Sequence, residues 1–140
     1  MSQKNINKLQ VVQNALAKVI LRAHWRSHSS DNLRSLHWLP IRERIQFKIA
    51  TLVYKCRSNA APSYLSSCLA DHKPARLLRS SSDFALLKVP TVCTKFSSRG
   101  FSSAAPEIWN PLPFSVRTSA SLPCFKNNLK TFLFQQTYGN

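Results

Sequence analysis

The sequence predicts a mainly α fold of the α+β kind, with roughly four amphipathic helices and one small β-hairpin in the second half. Three observations carry this. Apolar residues recur at helical spacing in three long stretches. The period shortens to alternation on either side of Pro90. The 140 residues are 44% hydrophobic, enough for one packed core and too much for a disordered chain.

The first stretch runs from about Asn5 to His24, where Leu9, Val12, Leu16, Val19, Ile20 and Ala23 form a stripe and Lys8, Lys18, Arg22 and Arg26 lie off it. That stripe is read as core, with a seam left by a missing neighbour as the alternative. Ser27 to Asn32 breaks the pattern, and Asp31 is placed to N-cap a short turn carrying Leu33, Leu36 and Trp38. Pro40 opens the second helix, whose buried stripe is Ile41, Ile45, Ile49, Leu52, Val53 and Cys56. Pro62 opens a shorter third helix through about Leu69.

Residues 72–83 turn to Lys, Pro, Arg and Ser and read as a basic, exposed connection between a helical half (1–71) and the remainder (84–140) of what is one domain overall. The hairpin is expected from Phe84-Ala85-Leu86-Leu87-Lys88-Val89 and Val92-Cys93-Thr94-Lys95-Phe96. Phe101 to Pro113 follows as a Pro- and Ser-rich segment. The last helix is capped by Ser121 and carries Leu122, Phe125, Leu129, Phe132 and Leu133.

Charge separates the function classes. Twenty Lys and Arg face five Asp and Glu, a formal charge of +15. Such a chain repels itself unless an anionic partner neutralises it, and nucleic acid is the commonest such partner. The candidate phosphate-binding residues are Arg22, Arg26, Arg44, Lys48, Lys73, Arg76, Arg79, Lys88, Lys95 and Arg99. Lys and Arg in this dispersed pattern release counterions from phosphates and give affinity without sequence choice. Trp25, Phe84 and Phe96 are the aromatics placed to stack on bases, whereas Trp38 and Trp109 sit among Leu, Ile and Pro and read as core.

Other chemistries find little footing. Only Gly100 and Gly139 supply glycine, so a glycine-lined phosphate loop has little material to work with. Cys56, Cys68, Cys93 and Cys124 form no C-x-x-C pair and read as thiols of a reducing compartment. His24 with His28, and Cys68 with His72, have the four-residue spacing of a zinc half-site, but nothing in the sequence brings the pairs together; no metal or cofactor is expected. A Cys–His nucleophile has no supporting context, and no small-molecule substrate is expected. No stretch is long and apolar enough for a membrane span. An acid-free, basic, amphipathic opening is also the pattern of a mitochondrial presequence, set beside the nuclear or cytoplasmic location expected of a basic nucleic-acid binder.

Several strings taken in order are specific. Leu9-Gln10-x-x-Gln13-Asn14-Ala15 precedes Leu33-Arg34-Ser35-Leu36-His37-Trp38-Leu39-Pro40-Ile41; Arg44-Ile45-x-Phe47-Lys48-Ile49, Ala61-Pro62-Ser63-Tyr64-Leu65 and Leu78-Arg79-Ser80-Ser81 follow. Ala105-Pro106-Glu107-Ile108-Trp109-Asn110-Pro111-Leu112-Pro113 comes next, then Ser121-Leu122-x-x-Phe125-Lys126-x-x-Leu129-Lys130. From about Leu9 to Phe134 this order resembles the region after the polymerase domain in jockey-like, non-LTR (LINE-type) retrotransposon reverse transcriptases. The resemblance implies origin in a protein that copies element RNA into DNA at a nicked target, and it assigns these residues no catalytic role.

The departures sharpen that expectation. A polymerase palm needs paired aspartates for two metal ions, and Asp31, Asp71 and Asp83 stand isolated in sequence. The acidic and histidine cluster of the accompanying endonuclease is missing too. With Met1 placed where the parent chain would be well under way, the chain is read as a partial element copy or a reused piece. The expected function is non-catalytic binding of RNA or DNA. The alternative is a protein-interaction module that meets other helices through exposed apolar seams, or an inert partial product. The two differ in salt dependence, steep for phosphate contacts and shallow for apolar packing.

Overall fold

The computed structural model describes residues 3–72, 86–94 and 96–139. Among them are seven α-helices: α1 Gln3–Leu21, α2 Ser29–Ser35, α3 Ile41–Arg57, α4 Ser63–Ser66, α5 Phe101–Trp109, α6 Phe114–Arg117 and α7 Leu122–Tyr138, with a 3-10 turn at Ser97–Arg99 before α5. The chain divides into two compact units, one of Met1–Phe47 with Lys130–Asn140 and one of Lys48–Leu129.

Helix ends here need a left-handed residue, and glycine is too scarce to supply it. Arg22, His37 and Asn59 take φ of 46°, 54° and 54° after α1, α2 and α3. In each case the next residue's N–H reaches back five residues: Ala23 to the Lys18 carbonyl at 3.0 Å, Trp38 to Leu33 at 2.9 Å and Ala60 to Lys55 at 2.9 Å. These are Schellman closures, in which glycine is the usual left-handed residue. At the other end, Ser121 caps α7, its Oγ accepting the Cys124 N–H at 3.4 Å. Asp31 lies inside the first turn of α2, and the N-cap position belongs to His28.

In the first unit the core is small. Ala17, Leu33, Leu39 and Leu133 are buried together with two polar residues, Gln13 and Asn32. α1 packs on α2. The residues it buries are Gln13 and Ala17. The Gln13 amide donates to the Leu39 carbonyl at 2.9 Å, and Gln10 Oε1 accepts the Ile41 N–H at 2.9 Å at the start of α3. The stripe expected to be core is therefore on the outside, with Leu9, Val12, Leu16, Val19 and Ile20 all exposed. Two specific hydrogen bonds to backbone groups near the α3 N-terminus fix which side of α1 turns inward. The C-terminal turns of α7 close this unit, with Phe134 stacked on His37 at 5.6 Å and the Tyr138 hydroxyl donating to the Trp38 carbonyl at 2.9 Å.

The second unit is built around Trp109, which has 0% exposure. Phe125 stacks on it at 5.7 Å and on Tyr54 at 4.5 Å, and the Tyr54 hydroxyl donates to the Ser119 carbonyl at 2.8 Å. Ala105 and Pro106 are buried on the same helix as Trp109. That burial explains why the Pro- and Ser-rich segment forms α5: packing a tryptophan outweighs the helix penalty of Pro106.

The expected hairpin and the count of four helices are overturned. No strand occurs among the described residues, and α2, α5 and α6 add to the helices anticipated. Phe84, Ala85 and Lys95 lie outside the described residues. Leu86 to Lys88 pair with Ala70 to His72 instead of with Val92 to Phe96. His72 donates to the Leu86 carbonyl at 3.0 Å and Lys88 to the Ala70 carbonyl at 2.8 Å, around an isolated antiparallel bridge between Asp71 and Leu87. The other edge of Leu87 is taken by the Asn110 side chain, so no second strand can add there.

Candidate nucleic-acid interface

The most developed arrangement of cations and an exposed aromatic lies just past α1. Arg22 ends the helix in the left-handed conformation, and the chain then turns through His24, Trp25 and Arg26. The Lys18 ammonium donates to the Trp25 carbonyl at 2.7 Å, tying the turn back to the last part of α1. His24 Nδ1 accepts the Arg26 N–H at 3.3 Å, and its ring sits 5.8 Å from the indole. The Arg26 guanidinium carbon stands 4.5 Å from the indole centroid, a cation–π contact worth about 0.5–1 kcal/mol at an exposed site. Trp25 is nevertheless 69% exposed. Trp25 is thus an indole held in place by its own backbone and still open to solvent, with Arg26 over its ring.

Because α1 stops at Leu21, Arg22 and Arg26 lie on this turn rather than on a common helical face; both are exposed. Arg44 is exposed on α3 in the same unit. In the second unit Lys48 and Lys88 are exposed, Lys88 beside the bridge at Leu87. Arg99 belongs to the 3-10 turn before α5. Lys73, Arg76, Arg79, Lys95 and Phe84, with the connection at 73–83, lie outside the described residues. Phe96 is exposed, and Trp109 is core. Sequence reading missed the part of Lys18, seven residues from Trp25 and linked to it only by the left-handed turn at Arg22.

Negative charge does little to offset these groups. Arg57 with Asp71, at 2.7 Å, is the one ion pair among the described residues, and it sits in the second unit. Beside it Cys56, Arg57, Ser66, Leu69, Asp71 and Leu87 line a cavity of about 230 Å³. Burial pushes the Cys56 thiol above its ordinary value, the nearby Ser66 hydroxyl pulling it back and Cys68 adding to the rise. An elevated thiol pKa opposes the thiolate that nucleophilic chemistry needs. Among the described residues no three His, Cys, Asp or Glu side chains converge to hold a metal ion, and no helix is long and apolar enough to cross a membrane.

Comparison with protein-family models, characterised proteins and solved structures finds no match to this chain.

Proposed function

We propose that this chain is a non-catalytic module that binds RNA or DNA without sequence choice, a piece of the type that follows the polymerase in a non-LTR retrotransposon reverse transcriptase. The observation that carries the binding reading is the anchored, 69% exposed Trp25 with Arg26 over its ring, and with Arg22 exposed three residues before it in the chain. A base stacks on the indole, and the guanidinium groups take the flanking phosphates, which uses features every nucleotide shares. The +15 charge adds long-range attraction that raises the encounter rate at low salt.

The test is Trp25→Ala against a labelled single strand. Loss of a stacked base weakens binding by about 1–3 kcal/mol, roughly five- to 150-fold. Unchanged affinity with an unchanged fold removes base stacking on Trp25 from the account.

A further inference from the structure

The outward side of α1 is unusual for a surface helix. Leu9, Val11, Val12, Leu16, Val19 and Ile20 all face solvent, Val19 at 74% exposure, while Gln13, bordering the stripe one turn on from Leu9, is only 4% exposed. The stripe is thus turned away from the core, and the bonds of Gln13 to Leu39 and Gln10 to Ile41 hold the neighbouring side of α1, with Ala17, inward. A contiguous apolar stripe held outward by specific hydrogen bonds marks an interaction surface.

We propose that this stripe is the docking surface for an acidic amphipathic helix of a partner protein. Leu9, Val12, Leu16 and Val19 repeat at three-four-three spacing, the register in which one helix inserts side chains between those of another. Lys8 borders the stripe at a flanking heptad position, and Lys4 lies exposed near that edge. No acid occurs before Asp31, so α1 itself carries positive charge alone. Glutamate or aspartate along the facing flank of the partner complements that edge and sets its orientation. A second copy brings lysine and arginine to lysine and arginine, on a chain already at +15. Trp and Phe, which with Leu anchor a helix at a bilayer surface, are absent from this stripe, and its Leu, Val and Ile knobs at three-four spacing suit helix packing. The surface is distinct from the Trp25 turn and does not depend on the nucleic-acid reading.

The probe is a synthetic helical peptide with leucines at three-four spacing and glutamates on both flanks, titrated into the full chain by fluorescence anisotropy. Two companions are a peptide with lysine flanks and one with the glutamates kept and the leucines replaced by serine. The glutamate peptide binds about tenfold or more tightly than the lysine peptide, as expected when two flanking pairs change sign, and the serine peptide fails to bind. Leu16→Lys abolishes binding although it adds positive charge, which separates seam packing from diffuse attraction. It leaves the salt-dependent binding of nucleic acid in place. Val19→Lys serves the same purpose should Leu16→Lys disturb the helix content. Reversing Lys8→Glu with Lys4→Glu transfers the preference to the lysine peptide. Equal binding of all three peptides, or no binding of any, overturns the proposal. So does self-association, or capture by vesicles of phosphatidylcholine and phosphatidylserine, that Leu16→Lys eliminates.

Discussion

The Asn110 side chain closes two hydrogen bonds on one residue: its Oδ1 accepts the Leu87 N–H and its Nδ2 donates to the Leu87 carbonyl, each at 2.9 Å. The amide thereby does for Leu87 what a neighbouring strand would do, on the edge opposite the bridge to Asp71. Leu87 itself is only 2% exposed, so its backbone has little water to turn to. Asn110→Ala leaves both groups without these partners and destabilises the protein by about 2 kcal/mol. Urea unfolding followed by circular dichroism measures this. A change below about 0.5 kcal/mol contradicts the role given to the amide.

That relationship also explains how the hairpin was misread. Leu86 to Val89 has strand-like composition, and part of it does pair in extended fashion, but its partner is Ala70 to His72. Alternation along a segment shows that it suits an extended backbone; it does not name the segment that takes the hydrogen bonds. The α1 stripe was legible as a stripe, and its spacing was right. Its direction was not legible, because two glutamine side chains bonding backbone near the start of α3 decide it. α3 and α7 were readable from periodicity and from Ser121, where side-chain burial and local capping agree. α5 was hidden by Pro106, whose local preference is overridden by burial of Trp109. At the candidate interface, Trp25, Arg22 and Arg26 were named from residue type, while the turn that groups them depends on Arg22 adopting φ of 46°.

Arg22 in the left-handed region stores a backbone cost of about 1 kcal/mol that glycine escapes. Arg22→Gly is therefore expected to raise stability by about that amount, and Arg22→Ala is not. Both substitutions remove the same charge, so both weaken nucleic-acid binding alike. Thermal unfolding of the pair is the check. Equal destabilisation by glycine and alanine contradicts a strained helix end.

Thiol chemistry and alkaline stability follow from burial. Cys68, Cys93 and Cys124 are exposed and Cys56 is buried. An aromatic disulfide reagent reacts quickly with three thiols and with the fourth only on unfolding. Burial raises the Cys56 thiol above 9.0, and burial reinforced by the Glu43 charge raises the Tyr138 phenol above 10.0. The unfolded chain then releases these protons first, so it binds fewer protons than the folded chain at alkaline pH. The stability they contribute is fully present below pH 9.0 and is lost as pH rises past 9.0 for Cys56 and past 10.0 for Tyr138, on through the raised folded values. Denaturation midpoints are expected to fall as pH rises past about 9 and on past about 10, and Tyr138→Phe to lessen the upper part of that fall. A flat or rising profile contradicts the assignment.

Binding of the purified chain to a labelled single strand and a labelled duplex, over a salt series, tests the central claim most directly. The account predicts a log–log slope of about −4 or steeper on both, with no dependence on base sequence. Arg22→Ala combined with Arg26→Ala reduces the steepness by about 2 on duplex, one phosphate contact for each cation removed. A weak, flat response to salt would contradict it, leaving the positive charge without a nucleic-acid role.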